Sequence, residues 1–336
     1  MVCERTRAMS NVIAPGSALV PAPFLVGVTR SGKTLLRLML DSHPELTIPP
    51  ETHFVPRLAQ RFGWGTDGRK PAAANFFASF FSYEGIPYVL YTRRPDIADP
   101  VELFLNTLKA FYIWRDFHLD EDVLRSHLRL LEPFDLSEGV RIFYKLYAER
   151  FGKTRWGDKT PEYSVWMGLV HGLLPEARFI HMIRDGRDIW VARRNLWFTP
   201  QTIEEAAKRW VLTIENARRQ ARRIPHYCEI RYEALVLNPG RTLRTICDFI
   251  DLPWDPSMLE YHQRAAERLE ELSGDFPLLD GRRLSKAERV APWVDTTREP
   301  DPSLIGLWKK EMRPLEIRAY EATAGDMLKT LGYEVG

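Results

Sequence analysis

Hydrophobic positions along the chain form short runs that end in polar or glycine-rich segments. The apolar run 24–28 leads into such a segment at 27–34, and a helix-like stretch begins at Thr34. A second run, at 177–183, follows helical periodicity over 163–174 that stops at Pro175. Because helices that lead into short buried strands are typical of parallel sheets, this pattern predicts an α/β fold with a doubly wound sheet.

The same periodicities predict the remaining elements of the sheet domain. A strand is expected at 227–232, and helices are expected at 202–223, 240–250 and 314–331. We interpret the chain as a flexible tail over residues 1–20 followed by one domain over 21–336.

Residues 60–150 are richer in aromatic side chains, with helical periodicity at 101–117 and 136–151. Such an insertion between sheet elements commonly covers the ligand crevice. We expect most of its aromatic residues to fill a helical core and the others to line an acceptor pocket.

The composition narrows the class of protein. The chain has 336 residues, of which 45% are hydrophobic, and a formal net charge of +2. This charge provides no global field for nucleic acid, so anion recognition must come from local clusters. Three cysteines without metal-ligand spacing indicate a reducing compartment. The apolar stretch 13–28 is interrupted by prolines, is too short to span a bilayer and lacks the form of a secretory signal, so we expect a cytoplasmic protein.

The segment 27–34 fits the nucleotide-binding pattern G-x-x-x-x-G-K-[ST]. Its fixed positions are Gly27, Gly32, Lys33 and Thr34. The position between a predicted strand and a predicted helix is the context that this pattern requires. Backbone N–H groups and the helix dipole would face an anion there, Arg30 and Lys33 would add charge, and Ser31 and Thr34 would offer hydroxyl groups.

A second cationic segment, 184–188, directly follows the predicted strand 177–183. Guanidinium groups in it would lie at the carboxyl edge of the sheet, where ligands of open α/β folds bind. Since a guanidinium group matches phosphate oxygens, Arg184 is a candidate ligand for a second phosphate. The alternative is that Arg–Asp pairs merely close the end of the strand.

Three further side chains could take part in chemistry. Lys159 lies beside a predicted helix start at Thr160-Pro161, where it would stabilise negative charge or form a structural salt bridge. Glu51 and His53 follow the first helix, and either could accept a proton from a hydroxyl group, although both residue types are more often structural.

The motifs follow one another as Arg30-Ser31-Gly32, Glu51-Thr52, Lys159 before Thr-Pro, Arg184-Asp-Gly-Arg and Arg231-Tyr232-Glu233. In this order they resemble those of sulfotransferases that use 3′-phosphoadenosine 5′-phosphosulfate (PAPS), in particular bacterial and protein-tyrosine sulfotransferases. The resemblance runs from about Pro23 to Tyr333 and implies a P-loop-type three-layer fold related to the nucleotide kinases.

The resemblance also implies roles for the matching residues. The loop 30–34 would hold the 5′-phosphosulfate, Arg184 would contact the 3′-phosphate, and Tyr232 would lie near the adenosine phosphates. Glu51 would be the general base and Lys159 would stabilise charge at the sulfuryl group. A segment that begins at Ser285 and ends near residue 294 would complete the nucleotide site.

Three positions depart from the family pattern. Lys33 replaces the usual threonine or serine, which would add charge near the transferred group. Ala192 replaces a serine that binds the 3′-phosphate, so that one hydrogen bond is missing or comes from Arg193 or Arg194. Because cytosolic sulfotransferases use histidine as the base, His53 is a second candidate for that role.

The resulting hypothesis is an enzyme that transfers the sulfuryl group of PAPS in line to the hydroxyl group of a small-molecule, glycan, lipid or natural-product acceptor. The product nucleotide would be 3′-phosphoadenosine 5′-phosphate (PAP), and no metal ion would be needed. We expect burial to raise the pKa of Glu51 toward the working pH. An ATP-dependent small-molecule kinase is the alternative, although Arg184 stands where such an enzyme usually has an acidic residue. A non-catalytic nucleotide-binding protein is a third alternative. The acceptor and the oligomeric state cannot be predicted from the sequence.

Overall fold

The strands of the protein are short, and most of them are parallel. A computed structural model describes residues 19–64, 97–196, 202–274, 276–278 and 281–336. Its strands are β1 (Ala22–Val26), β2 (Leu46–Thr47), β3 (Arg155–Trp156), β4 (Asp158–Lys159), β5 (Ala177–Ile183), β6 (Tyr227–Arg231), β7 (Phe276–Pro277) and β8 (Arg283–Leu284). The central sheet is parallel and has the order β4-β1-β5-β6, which confirms the predicted α/β class.

Helices connect and cover these strands. The α-helices of the described residues are Lys33–Asp41, Val55–Arg61, Pro100–Lys109, Glu121–Arg129, Leu136–Glu149, Met167–Leu173, Gly186–Arg193, Ile203–Ala221, Tyr232–Leu237, Pro239–Phe249, Ala265–Leu269, Lys286–Val290, Trp308–Glu311 and Pro314–Thr330. Short 3₁₀ helices lie at Tyr112–Phe117, Pro161–Val165, Pro256–Met258, Tyr261–Gln263, Ala291–Thr297 and Pro302–Leu304. In the part of the chain that the structure describes, no helix has the length and apolar character needed to cross a membrane.

Two expected helices are interrupted. Residues 163–174 form the end of one 3₁₀ helix and then an α-helix, because Trp166 has a backbone conformation outside both (φ −119°, ψ 11°). Residues 101–117 likewise divide at Phe111, whose backbone is extended. Apolar periodicity continues across both breaks, so the sequence pattern alone does not reveal them.

The sheet has a hydrophobic layer on each face, as the alternating side chains of β1 show. Phe24 and Val26 pack into a core formed with the helices of residues 97–150, whereas Leu25 packs into a second core with the helix Lys33–Asp41. This alternation is the two-residue period of a strand that is buried on both faces. The result is the expected three-layer arrangement.

Aromatic side chains of the insertion fill its core. Phe104, Phe117, Phe143 and Tyr144 are at most 1% exposed, and Phe54, just before the insertion, packs with them; several of these rings meet edge to face. Expectations for the aromatic residues at 76–91, and for most of the tail 1–20, lie outside the described residues.

Candidate active site

The loop after β1 depends on two glycines. Gly27 and Gly32 have φ values of 129° and 97°, which L side chains rarely adopt. A Cβ on Gly27 would lie 2.7 Å from the carbonyl oxygen of Met182, and one on Gly32 would lie 2.4 Å from the ring of Tyr232. The loop therefore packs its backbone directly against β5 and against the start of the helix Tyr232–Leu237.

Lys33 braces this loop from inside. Its side chain is buried, and Nζ donates to the carbonyl oxygen of Val28 at 2.5 Å and to Oγ of Ser31 at 3.1 Å. The lysine that distinguishes this loop from the family pattern is thus held by the loop itself in this structure. Thr34 follows in the first turn of the helix and lines a neighbouring cavity.

The side chain of Arg30, in contrast to that of Lys33, contacts the 3₁₀ helix Ala291–Thr297. Its Nη1 donates to the carbonyl oxygen of Pro292 at 2.6 Å, and its guanidinium group stacks on the ring of Trp293, 4.8 Å from the centroid. Burial and the nearby charge of Arg184 lower the pKa of Arg30 to about 10. The two guanidinium groups therefore repel each other in a poorly solvated place.

Arg184 lies next to the loop, as predicted, at the carboxyl end of β5. Nη1 and Nη2 donate to the carbonyl oxygens of Arg30 (3.4 Å) and Leu304 (2.9 Å), and the guanidinium group lies 4.3 Å from the centroid of Tyr232. Its buried Nε has no hydrogen-bond partner among the described residues. Within the same residues, neither Arg184 nor Arg30 forms a salt bridge with a carboxylate.

The alternative explanation for this segment, an Arg–Asp pair that closes the strand, applies instead to Arg187. Its side chain is fully buried between Asp185 at 2.8 Å and Glu321 at 2.6 Å. The two arginines of one motif therefore differ in their contacts: Arg187 pairs with two carboxylates, and Arg184 has no carboxylate partner among the described residues.

A carboxylate and an ammonium group meet beside the loop. Lys159 in β4 pairs with Leu25 in β1, which brings its side chain to the carboxyl edge of the sheet. Its Nζ lies 2.5 Å from Oε1 of Glu51 and 5.6 Å from the ring centroid of Trp293. The sequence proposed both a structural salt bridge and a role beside the reacting group for Lys159, and this position accommodates both.

His53 connects Glu51 to a second carboxylate that the sequence analysis missed. His53 Nε2 lies 3.3 Å from Oε2 of Glu51, and Nδ1 hydrogen-bonds to Oε1 of Glu162. Glu162 is 2% exposed and lies in the first turn of the 3₁₀ helix Pro161–Val165. The sequence offered one signal for Glu162, its place two residues after Thr160, which reads equally well as an acidic helix start.

The pKa of Glu51 differs from the expectation. Burial alone would raise it, but the charge of Lys159 together with the hydrogen bond and charge of His53 lowers it well below its ordinary value. The expected raised pKa is therefore wrong for this state of the protein, because two cationic partners outweigh desolvation.

A buried network fixes Glu51 and His53 relative to β4. Thr52, which lies between them, donates from its backbone N–H to Oγ1 of Thr160 at 3.0 Å and from its hydroxyl group to Asp158 at 2.6 Å. Tyr144 also donates to Asp158, at 2.8 Å. Thr160 thus acts through its hydroxyl group on Thr52, and it makes no side-chain cap to the helix that it precedes.

The remaining candidates, Arg193, Arg194 and Ser285, have contacts outside the loop 30–34. Arg193 is buried at the end of the helix Gly186–Arg193, and Arg194 pairs with Glu311 at 2.8 Å. Ser285 is exposed and caps the helix Lys286–Val290 in a capping box with Glu288. The nucleotide-binding roles of Arg193 and Ser285 stay predictions. The segment that begins at Ser285 does contact the loop, because Pro292 and Trp293 bind Arg30.

A cavity opens beside Glu51, and its volume, including the part open to solvent, is about 820 Å³. The residues around it come from the loop and the helix Lys33–Asp41, the segment 50–53, the insertion, β4 and the segment 269–293. They are Thr29, Thr34, Arg37, Pro50, Glu51, His53, Ile113, Asp116, Lys159, Leu269, Leu272, Phe276, Arg289, Pro292 and Trp293. Ile113 and Asp116 show that the insertion does contribute to the wall of a pocket.

The fold and the site define a P-loop-like α/β protein with a cationic loop and a carboxylate–lysine pair at one sheet edge. The sequence signature of the Sulfotransferase family matches residues 21–256, more than two thirds of the chain. The protein therefore belongs to the sulfotransferase family, and the family supports a sulfotransferase enzyme.

Curated relatives match most of the length of this chain. Protein-tyrosine sulfotransferase 1 of Danio rerio is 25% identical over 322 residues, which cover 94% of this chain and 73% of that protein. Nodulation protein NoeE of Sinorhizobium fredii (strain NBRC 101917 / NGR234) is 24% identical over 336 residues, which cover 93% of this chain and 65% of that protein.

Solved structures share the fold. The sulfotransferase domain from the curacin biosynthetic pathway superposes with a TM-score of 0.54 at 19% identity, covering 95% of this chain and all of that domain. The sulfotransferase domain of the Synechococcus PCC 7002 olefin synthase gives a TM-score of 0.53 at 19% identity, covering 96% and 98% of the two chains.

Proposed function

We propose that this sulfotransferase takes the sulfuryl group from PAPS and transfers it to the hydroxyl group of an acceptor that lies in the cavity beside Glu51. The loop 30–34 holds the phosphosulfate end of the donor, and Arg184 with Tyr232 holds its 3′-phosphate. Glu51 accepts the proton of the acceptor hydroxyl group, and Lys159 stabilises the negative charge that develops on the donor.

The relation between Arg30 and Arg184 carries this proposal. Arg184 is buried and Arg30 is half-buried, and two guanidinium groups that repel each other and lack a carboxylate partner among the described residues are costly in the absence of an anion. An adenosine nucleotide with charged groups at both its 3′ and 5′ positions would offset both charges at once. A donor with a single phosphate cluster would leave one of them unmatched.

Local geometry supports the fit of such a donor. The absence of a Cβ at Gly32 allows the loop backbone and the ring of Tyr232 to approach each other, and the guanidinium group of Arg184 lies 4.3 Å from the centroid of that ring. The unpartnered Nε of Arg184 is a further donor for a phosphate oxygen. The loop precedes the helix Lys33–Asp41, whose dipole also favours an anion.

The chemical step requires little of the protein beyond position and charge. The acceptor oxygen forms a bond to sulfur while the bond from sulfur to the 5′-phosphate oxygen breaks, and PAP leaves. The acceptor proton passes to Glu51 and then to solvent. Because Lys159 binds Glu51 in the structure, this scheme requires Lys159 to exchange Glu51 for the departing oxygen, which raises the basicity of Glu51 as the donor binds.

The kinase alternative rests on Lys33 and the glycine pattern alone. Lys33 is engaged by Val28 and Ser31 within the loop, and membership of the sulfotransferase family favours the other assignment. The two functions differ in their nucleotide, so a binding measurement separates them.

Calorimetric titration with PAP and with ATP plus Mg²⁺ tests the proposal. We expect PAP to bind without Mg²⁺ and more tightly than ATP, and Arg184→Ala to weaken PAP at least about tenfold. Arg178→Ala is a matched control, since Arg178 lies at the other end of β5 and pairs with the exposed Asp251. Tighter, Mg²⁺-dependent binding of ATP, or equal PAP affinity in both variants, would contradict the proposal.

A second measurement separates an enzyme from a non-catalytic nucleotide-binding protein. Glu51→Gln keeps the shape of the side chain but removes the base, so sulfate transfer should fall by about a hundredfold or more while PAP affinity stays within about twofold. A protein that never transfers sulfate would show no turnover before or after the change, with any of a panel of phenols and alcohols.

A further inference from the structure

The cavity beside Glu51 is divided into a polar floor and an apolar wall. Glu51, His53 and Lys159 form the floor next to the proposed sulfuryl site. The wall includes Ile113 from the insertion, Leu269 at the end of the helix Ala265–Leu269, and Leu272 and Phe276 from the segment that follows this helix. A hydroxyl group on the floor would therefore place the body of its molecule against hydrocarbon side chains.

The charged side chains of the wall neutralise each other. Arg289 binds Asp116 through both guanidinium nitrogens, at 2.5 and 2.9 Å, and its guanidinium group lies 4.7 Å from the ring centroid of Phe276. Ser273 also donates to Asp116 from its hydroxyl group at 2.6 Å and from its backbone N–H. Asp116 is fully buried, so this pair is a fixed part of the wall.

The other two cations of the cavity are matched in the same way. Arg37 donates to the carbonyl oxygen of Ile48 at 2.8 Å and lies 3.4 Å from Glu271, and Lys159 is bound to Glu51. Among the described residues that line the cavity, each cation thus has an internal carboxylate partner. A charged acceptor would lose its hydration there without gaining a counter-ion.

We propose that the acceptor is an uncharged alcohol or phenol with an apolar body, and that this cavity selects against acceptors that carry carboxylates next to the reacting hydroxyl group. The inference rests on the proposed function, because it assigns the hydroxyl group of the acceptor to Glu51. An enzyme that accepts tyrosine within an acidic peptide would instead need cations along the wall that have no internal carboxylate partner, and the described residues of the wall provide none.

A matched pair of phenols tests the proposal. The probes are 2-naphthol and 6-hydroxy-2-naphthoate, which differ by one carboxylate, and a peptide with a tyrosine flanked by glutamates is the third probe. Binding is measured by calorimetry on the full chain saturated with PAP. We expect 2-naphthol to bind at least about tenfold more tightly than either anionic probe.

Two variants connect this preference to the wall. Asp116→Asn leaves Arg289 without its charged partner, so the affinity for 6-hydroxy-2-naphthoate should increase several-fold. Leu272→Ser lies on a half-buried side chain and should weaken 2-naphthol by about threefold to tenfold with little effect on PAP. The second variant keeps the test valid if the first does not fold.

The outcomes distinguish a failure of the proposed function from a failure of the acceptor assignment. If PAP does not bind the wild-type protein, the proposed function fails. If PAP binds but the naphthoate or the acidic peptide binds as tightly as 2-naphthol, the assignment of an uncharged acceptor is overturned while the proposed function stands. Unchanged selectivity in both variants would also overturn it, because the wall would then not be the source of the preference.

Discussion

The ammonium group of Lys159 lies 2.5 Å from Oε1 of Glu51, although the two residues are 108 positions apart in the chain. The pair forms because β4 lies beside β1 and the segment after the first helix returns to the same sheet edge. In this arrangement the candidate base is a carboxylate that is stabilised by its neighbours, since Lys159 and His53 lower its pKa. Its reactivity then depends on where Lys159 is.

Replacing Lys159 should shift the pH dependence of the reaction. In Lys159→Met the largest cationic influence on Glu51 is lost and burial remains, so the pKa of Glu51 rises. A base with a higher pKa is protonated at a higher pH, and the acidic limb of kcat/KM should therefore move toward neutral pH, in addition to an overall loss of rate.

Lys159→Arg is the control for this prediction. It keeps a positive charge beside Glu51, so its acidic limb should stay near that of the wild type even if its rate falls. Identical limbs in the Met and Arg variants would show that Lys159 does not set the protonation of the base. Initial rates between pH 5 and pH 9 at donor concentrations well below KM supply the comparison, because they report the protonation of Glu51 in the donor-free enzyme, where Lys159 binds it.

Glu162 should act through His53 as a positioning residue. Glu162→Gln weakens the contact that orients the imidazole, and we expect kcat to fall by about tenfold, about 1.4 kcal/mol, with PAP affinity unchanged. In a His53→Ala background the same change should have almost no further effect on kcat.

The control for this prediction is Glu176→Gln, which disturbs another buried pair, with Arg141 at 2.6 Å. It should lower the stability without a selective loss of kcat. Additive losses in the Glu162→Gln, His53→Ala double variant would mean that Glu162 does not work through His53.

Gly32 should tolerate no side chain. Gly32→Ala combines a strained φ of 97° with a contact of 2.4 Å to the ring of Tyr232, so we expect a loss of stability above about 1 kcal/mol and a decrease in PAP affinity. Gly152→Ala has a similar backbone cost at φ 65° but open space around the new methyl group.

Comparison of the two variants isolates the contact with Tyr232. Chemical denaturation should show a smaller loss for Gly152→Ala, and calorimetry should show unchanged PAP binding for it. Equal effects of both changes on PAP binding would mean that the loop does not need its close approach to Tyr232.

The buried arginine beneath the cavity should be important for stability. Arg268 lies 2.8 Å from Asp41 and 2.9 Å from Glu271, and all three are at most 8% exposed. Arg268→Met removes the nearest cation from two buried carboxylates, while Arg37 still faces Glu271 and Lys153 still acts on Asp41, so we expect a cost of about 3 kcal/mol of unfolding free energy at neutral pH.

The loss in Arg268→Met should shrink as the pH falls. Arg268 is the main cause of the lowered pKa of Asp41, so without it Asp41 takes up a proton at a higher pH and its buried charge disappears. Arg178→Met breaks a pair with the largely exposed Asp251 and should cost at most about 1 kcal/mol. Urea unfolding at pH 7 and pH 5 gives both differences.

Features that extend over several residues were predictable from the sequence. The strand β5 occupies the residues expected for it, and the expected loop and the first helix follow β1. Apolar runs and glycine spacing record burial and backbone conformation directly. By contrast, β4 contains two residues, Asp158 and Lys159, and is too short to produce a periodic pattern.

The parts of the site that depend on tertiary contact were not predictable. Arg37 and Glu162 reach the site because their elements pack around it, and nothing in their local sequence distinguishes them from ordinary helix residues. Trp293 lies in the segment 285–294 that the resemblance indicated, but its stacking on Arg30 was not predictable. The pKa of Glu51 has the same origin, since it is determined by partners that are distant in the chain.

The bond between Arg30 and Pro292 joins positions that are 262 residues apart. During synthesis the glycine loop can therefore acquire this neighbour only after a further 262 residues have been added to the polypeptide. Nascent fragments that stop short of Pro292 would contain the whole loop motif but would lack this neighbour, so the motif exists in the growing polypeptide before Arg30 can take the position that it has in the folded protein.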